Sequence, residues 1–397
     1  MKRCYILSFI TLCILQAGCK KQTIRNADIH VIDFEQCFDT ERQMFLSEIA
    51  DSIEYIELKT PEDVIITKIG IIKQVDDFLI INANYVVYLF HKNGQFIRQI
   101  GSRGQGPGEY ILPYSIDIDH KKKEIVISDT YQLLFYDLDG NFLRSKKWME
   151  AGYIGIFDST LWMGDIIYSA NLQKYKAVAV SLHGEMDTVA CIPNALYGFM
   201  KSDKTGADDS GISTLFYHKN DSLFFKGDAS NDTIWKLSGA NAEPYAFIDM
   251  GKYKLPPEFE RWVSDEAYQR NRDRYWAIQS VLEDDRYFFL WSHWRKLIRL
   301  PVKGYAAHKY IVYDKKQKKG FFVKDDKKKG IIDDLLGGPP VWPRWISNEY
   351  YMSPITAEIL LEKVRSGDFI PPAPLKEQLS RMNEGSNDLI ILCHRKK

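Results

Sequence analysis

Residues 53–58, IEYIEL, alternate apolar and polar positions, the period of a strand with one buried face. Further on the apolar positions thicken into longer runs. Leu79–Arg98 reads LIINANYVVYLFHKNGQFIR, and Ile125–Arg144, offset by 46 residues, reads IVISDTYQLLFYDLDGNFLR. Ile81 and Ile127, Tyr85 and Tyr131, Gly94 and Gly140, Phe96 and Phe142, and Arg98 and Arg144 are identical pairs. Asn93-Gly94 and Asp139-Gly140 sit between strand-like runs and predict hairpins with type I′ turns, which need positive φ at both central residues. A strand-built repeat of roughly 40–50 residues predicts a propeller or a solenoid, because one unit cannot bury its apolar face alone.

Two more units follow, Asp165–Ile192 with a turn at His183-Gly184, and Ser222–Leu237 running through to Ala246–Met250. The period then breaks. Pro256–Asp284 spaces its apolar residues among many charges, starts with Pro and contains no Gly, which predicts one or two helices. Strands resume at Tyr287–Trp291, Lys296–Leu300, Tyr310–Tyr313 and Gly320–Val323, a fifth unit. After the Gly/Pro/Trp loop Ile331–Trp345 comes a strand at Glu349–Met352, then helical Thr356–Arg365 and Leu375–Met382, then a last strand at Asp388–Cys393. Six units result. The expected fold is all-β, a six-bladed β-propeller of four-stranded antiparallel blades with helical insertions near 256–284 and 354–384. A ring must close, and Ile53–Leu58 with Leu389–Cys393 are the natural partners for a shared blade, which removes exposed strand edges. A β-solenoid is the competing architecture, but its repeats are shorter.

Composition narrows the picture further. The chain is 45% hydrophobic and 27% charged, with 23 Tyr, 21 Phe and 9 Trp, a globular and strand-favouring balance. Lys+Arg and Asp+Glu both total 53, which argues against nucleic acid as a partner. The Lys runs 121–123 and 327–329 read as solvated loops rather than a basic binding patch.

The first residues read as an export signal. Lys2 and Arg3 precede an apolar run of 11 residues, Tyr5–Leu15, too short to span a bilayer. Ala17-Gly18 then stands before Cys19, resembling a bacterial lipobox, although Gln16 occupies the place where Leu is usual. The expected division is a lipoprotein signal peptide at 1–18, a lipidated tether at 19–48 and the propeller at 49–397. Cys37, Cys191 and Cys393 remain, too few and scattered for a disulfide framework or metal site, and read as buried small hydrophobes.

The lipobox, the strand IEYIELKT, the strand set ending DGxF and the segment GSRGQGPGEY (Gly101–Tyr110) resemble six-bladed β-propeller lipoproteins of Bacteroides-type bacteria, relatives in form of NHL-type propellers. The resemblance covers roughly Ile53 to Cys393. It implies export and a propeller fold, and it carries no enzymatic activity or catalytic residue with it.

Candidate chemistry is sparse. Gly101–Tyr110 lacks the ending of a P-loop and precedes a strand, so its glycines read as conformational, with Gly104, Gly106 and Gly108 at positive φ around Pro107. Arg103 and Glu109 are candidates for the propeller face. Trp291, His293, Trp294 and Arg295 form one aromatic–cationic cluster, and Trp342, Arg344 and Trp345 another, both able to stack and hydrogen-bond a ligand. The eight His show no HxH, HxxxH or HExxH spacing, and the Asp117/Asp119, Asp137/Asp139 and Asp325/Asp326 pairs read as turn residues, so neither a metal nor a cofactor is expected. The expected function is a non-catalytic, lipid-anchored binding or scaffold propeller, a monomer that recognises a protein, peptide or glycan on its loop-rich face. Its place is the cell envelope at the outer membrane; Lys20-Lys21 favour the periplasmic side over the cell surface. The alternative is a metal-dependent hydrolase or lyase with Ca²⁺ or Zn²⁺ in the central channel.

Overall fold

Six four-stranded antiparallel sheets are arranged so that their innermost strands touch one another in a closed ring. The computed structural model describes residues 29–147, 152–164, 175–182, 188–193, 216–227, 232–254, 275–294, 308–324 and 330–396. Numbered along the chain, the innermost strands are Ile69–Val75 (blade 1), Ser115–Asp119 (blade 2), Tyr153–Phe157 (blade 3), Phe216–Lys219 (blade 4), Trp276–Glu283 (blade 5) and Trp345–Ile346 (blade 6). The chain is a six-bladed β-propeller.

The second and third strands of a blade are buried on both faces, as Leu79–Ala83 and Val87–Phe90 are, because each sheet packs against the next. The core is therefore a set of layers between blades. Ile80, Leu89 and Ile100 of blade 1 meet Ile116, Ile125 and Leu134 of blade 2, for example. Such strands read as continuous apolar runs rather than alternating ones.

Both expected hairpins are present, but with a different turn. Gly94 N–H donates to His91 O at 2.8 Å and only Gly94 has positive φ, +87°; Gly140 at +76° repeats this with Asp137. These are type I turns followed by a bulge, with the register shifting between Leu89 and Phe90 and between Phe135 and Tyr136. At Gly94 a Cβ would lie 2.0 Å from Glu57 O, so no other residue fits there. Turns with two adjacent positive-φ residues, the type I′ pattern, fall instead on Asn84-Tyr85 and Asp158-Ser159.

Blade 6 closes the ring. Leu389–Arg395 pairs antiparallel with Ala50–Glu57, placing Cys393 opposite Ile53 and Ile391 opposite Tyr55. As the outer strand, Ala50–Glu57 keeps the alternation its sequence shows, with Ile53 and Tyr55 buried and Glu54 exposed. The helical insertion is Ala357–Arg365 and Ala373–Ser380, starting at Thr356, whose Oγ1 accepts from Ile359 N–H at 3.2 Å. Its Leu360, Phe369, Leu375 and Leu379 join the core.

Several expectations change. The segment 30–48 is not a plain tether. His30–Asp33 adds a parallel fifth strand to blade 4, Glu41–Arg42 does the same on blade 5, and Phe34, Cys37, Met44 and Leu46 are buried. Its apolar residues are too irregularly spaced to show either period, so only docking reveals it. The helix expected over Pro256–Asp284 ends in error, because Trp276–Glu283 is the inner strand of blade 5; residues 255–274 lie outside the described ones. Lys296–Leu300, the His183-Gly184 turn, Lys327–Lys329, Asp325/Asp326 and Cys19 also lie outside them. Cys37 and Cys393 are buried as expected, whereas Cys191 is exposed on the outer strand of blade 3. Burial pushes the Cys37 thiol up to about 12.

Candidate functional site at the channel mouth

A cavity of about 640 Å³ opens at the end of the central channel and is lined by the inner strands of all six blades. Ile72, Ile118, Ile156, Phe216, Leu282 and Trp345 make its apolar wall, and Asp119, His120, Asn220, Ser347 and Asn348 belong to its polar lining. This size and mixture are those of sites for small ligands.

At its centre lies Asp117, 1% exposed in the middle of an inner strand. Lys73 Nζ from blade 1 stands 2.8 Å from its Oδ1. Its Oδ2 accepts from Ile156 N–H of blade 3 at 2.7 Å and faces His218 Nε2 of blade 4 at 3.0 Å. One carboxylate thus joins four blades. Burial alone would raise its pKa, but the Lys73 charge and then His218 outweigh that and hold it well below the usual carboxylate range. His120 meets His218 edge-on at 6.1 Å between ring centroids. Burial, reinforced by neighbouring His218, lowers the His120 pKa. Asp119 uses Oδ1 to accept from Lys121 and Lys122 N–H, while its buried Oδ2 has no hydrogen-bond partner among the described residues.

The rim is tied from turn to turn. Lys123 pairs with Asp76 of blade 1 and Lys121 with Asp158 of blade 3. Asn220 Nδ2 donates to Asp285 of blade 5 at 3.3 Å, and Gln74 Nε2 to Glu349 of blade 6 at 3.3 Å. Exposed ties of this kind add little stability each; what they do is hold the turns in place. The lysine run 121–123 is exposed, as a solvated turn should be, with Lys121 and Lys123 paired to neighbouring blades. A second buried knot lies between blades 4 and 5, where Glu283 accepts from Tyr217 Oη at 3.0 Å and Tyr245 Oη at 2.7 Å and pairs with Lys219 and Lys315.

Two of the residues singled out in the sequence, Trp291 and Arg344, are brought together. Trp342 is buried and stacks on Tyr310 at 4.3 Å, with Phe289 edge-on at 5.9 Å. Arg344 places its guanidinium 5.2 Å above the half-buried Trp291. Trp345 is half-buried and lines the channel mouth. His293 and Trp294 occupy strand positions opposite His308 and Trp276, and Arg295 lies outside the described residues. Strict alternation would bury Trp291 and expose its neighbour. Instead Ser292 is fully buried and donates to Lys309 O at 3.0 Å, because this strand is covered on both sides.

Gly101–Tyr110 is a closed crossover between blades 1 and 2. Ser102–Arg103 pairs in parallel with Glu109–Tyr110, and Tyr110 Oη donates to Ile100 O at 3.1 Å. Glu109 turns inward, its Oε2 accepting from Gly106 N–H at 2.7 Å, while Arg103 is exposed. Positive φ belongs to Gly101 and Gly108 rather than to Gly104 or Gly106. At Gly104 a Cβ would lie 2.0 Å from the Glu109 carboxylate, so a larger residue there would displace that side chain.

Lys73, Asp117, His120 and His218 escaped the sequence reading. The available signal was a charge inside an otherwise apolar inner strand, as in IIKQV and SIDID. Asp119 and Asp137 do serve turns, as expected, and Asp117 does not. Among the described residues no three His, Cys, Asp or Glu side chains converge as metal ligands.

A protein from Bacteroides fragilis, classed by inference as exported, has a crystal structure similar to this one. Its TM-score is 0.66 at 20% identity, covering 92% of this chain and 100% of that one. The extracellular domain of a one-component system from B. thetaiotaomicron is a more distant likeness, with TM-score 0.37 and 11% identity over 68% of this chain and 29% of that one. No curated protein matches the chain in sequence. A family model covers residues 29–394, nearly the whole described propeller, and the chain belongs to that family, described as a domain of unknown function, DUF4934.

Proposed function

We propose that this chain is an exported, lipid-anchored, non-catalytic binding propeller whose ligand docks in the mouth of the central channel. The observation that carries the reading is the cavity itself, an apolar wall with a polar lining to which every blade contributes. Its centre is locked by Asp117 and its rim by turn-to-turn ties, so the site is formed before a ligand arrives. A glycan end or a peptide loop, whether free or presented by a protein, is small enough to enter and matches aromatic surface beside hydrogen-bonding groups. Export and anchoring rest on the basic start, the apolar run Tyr5–Leu15 and Ala17-Gly18-Cys19. The likeness to a protein classed as exported agrees with them. The metal-dependent alternative finds no converging donor set among the described residues to support it.

The test is a glycan and peptide binding screen of the mature chain beside its Trp345→Ala and Asn348→Ala variants. Loss of a stacking contact weakens binding by about 1–3 kcal/mol with the fold intact. Hits that both variants bind as tightly as the natural chain would place the ligand elsewhere.

A further inference from the structure

The opposite end of the ring holds a second cavity, independent of the channel mouth. The inner strand of blade 1 offers Lys73 and Gln74 to the mouth and Ile69, at its other end, to this groove. The groove measures about 1000 Å³ and runs between the helical insertion of blade 6 and the loop at Gly338. Pro339, Pro340, Pro354, Ile355 and Ile359 supply apolar walls.

Two carboxylates line this surface, exposed Asp368 and buried Asp388. Asp388 is 5% exposed, and its carboxylate accepts from Lys68 N–H. It is held firmly in place. Asp388 N–H donates to Ile66 O at 2.9 Å, and Asn387 donates to Leu58 O at 2.6 Å and accepts from Ile66 N–H at 2.7 Å. Lys68 itself sits at φ +51°, a left-handed conformation that side chains avoid unless the surroundings impose it. Among the described residues no cation pairs with Asp388; Lys363, across the groove, is engaged by Asp368 at 3.0 Å. Burial pushes the Asp388 carboxyl up to about 6, so at neutral pH the fold carries an ionised group that its own environment disfavours. A charge kept at a cost to stability, beside a preformed cavity, is the mark of a binding residue.

We propose that this groove receives a lysine side chain of an extended peptide, its methylene stem along Pro354, Ile355 and Ile359 and its ammonium on Asp388. A cation supplies the partner the fold withholds, and the apolar walls suit the stem. The cavity is larger than an alkylammonium alone requires, which leaves room for flanking backbone. Ile359 in this groove is a large apolar residue left exposed.

The experiment is calorimetric titration of the mature chain with capped Ala-Lys-Ala, capped Ala-norleucine-Ala and cadaverine at pH 7.5 and 5.0. The lysine peptide should bind at least about tenfold more tightly than the other two. Its affinity should fall about tenfold between the two pH values, as a carboxyl near 6 loses its charge. Asp388→Asn keeps an acceptor for Lys68 N–H and removes only the charge, so it should abolish both the binding and its pH dependence. That variant also separates Asp388 from Lys68, Lys363 and Asp368, which face the same groove. Ile359→Lys, at a 47% exposed position, should weaken the lysine peptide without unfolding the chain. Equal binding of the norleucine peptide, affinity independent of pH, or full affinity in Asp388→Asn would overturn the proposal. Cadaverine binding as tightly as the peptide would overturn its peptide form. Trp345→Ala should leave this binding untouched, which keeps the result separate from any failure at the channel mouth.

Discussion

Replacing Asp117 by Ala removes the one group that joins blades 1, 2, 3 and 4. Lys73 then loses a partner 2.8 Å away, His218 one at 3.0 Å, and Ile156 N–H an acceptor at 2.7 Å. Breaking a buried ion pair from one side costs about 3–5 kcal/mol, because the other charge remains without compensation. An orphaned buried N–H adds about 1–3 kcal/mol. Lys73 and His218 retain 20% and 24% side-chain exposure and can turn partly to water, which offsets some of this. A net loss of about 3–5 kcal/mol is expected. Lys73→Met should cost less, since Asp117 keeps His218 and the Ile156 N–H.

The pH dependence has a definite sign. The folded pKa of Asp117 lies below its unfolded value, so its stabilisation is complete above the ordinary carboxylate range, about pH 4. It is lost as pH falls from there through the folded pKa. Denaturant unfolding of natural chain, Asp117→Ala and Lys73→Met, at pH 7 and at steps below pH 4, reads both effects. An Asp117→Ala loss below 1 kcal/mol at pH 7, or a gap that stays constant into acid, would refute the account of the knot.

Other outcomes follow from the same geometry. Deleting 388–397 removes the strand opposite Ala50–Glu57, so the truncated chain should lose cooperative melting or associate through its open edges; an unchanged monomeric melt would count against ring closure. Trp342→Ala should lower stability by about 3–5 kcal/mol through lost packing on Tyr310 and Phe289, whereas half-buried Trp345→Ala should cost clearly less, as paired thermal melts would show. Cys19→Ala should move the protein from the membrane fraction to the soluble one; a variant that stays with the membrane would sink the anchor.

The blade plan was written locally. The 46-residue offset, the Gly94 and Gly140 hairpins and the helix at Thr356 depend on neighbours within a few residues, so their signals survive in sequence. Ring closure was legible for a related reason, since an apolar terminal run such as Leu389–Cys393 needs a partner and Ile53–Leu58 was the unpaired candidate. The sites were not. The channel mouth takes one to three residues from each of six inner strands between Ile72 and Ile346, and no local period records which of them face the axis. Asp117 looked like a turn residue until Lys73 and His218, 44 and 101 residues away, came to lie beside it. The aromatic clusters were legible only as composition: packing then buries Trp342, places Arg344 over Trp291 and leaves Trp345 at the mouth. The sequence by itself determined the blade repeat, the closing strands and the helical insertion of blade 6, because hydrophobic period and turn chemistry act over a few residues. Only the tertiary structure decided which charges share a cavity and which aromatics are covered, because burial and pairing depend on strands that meet only once the ring has closed.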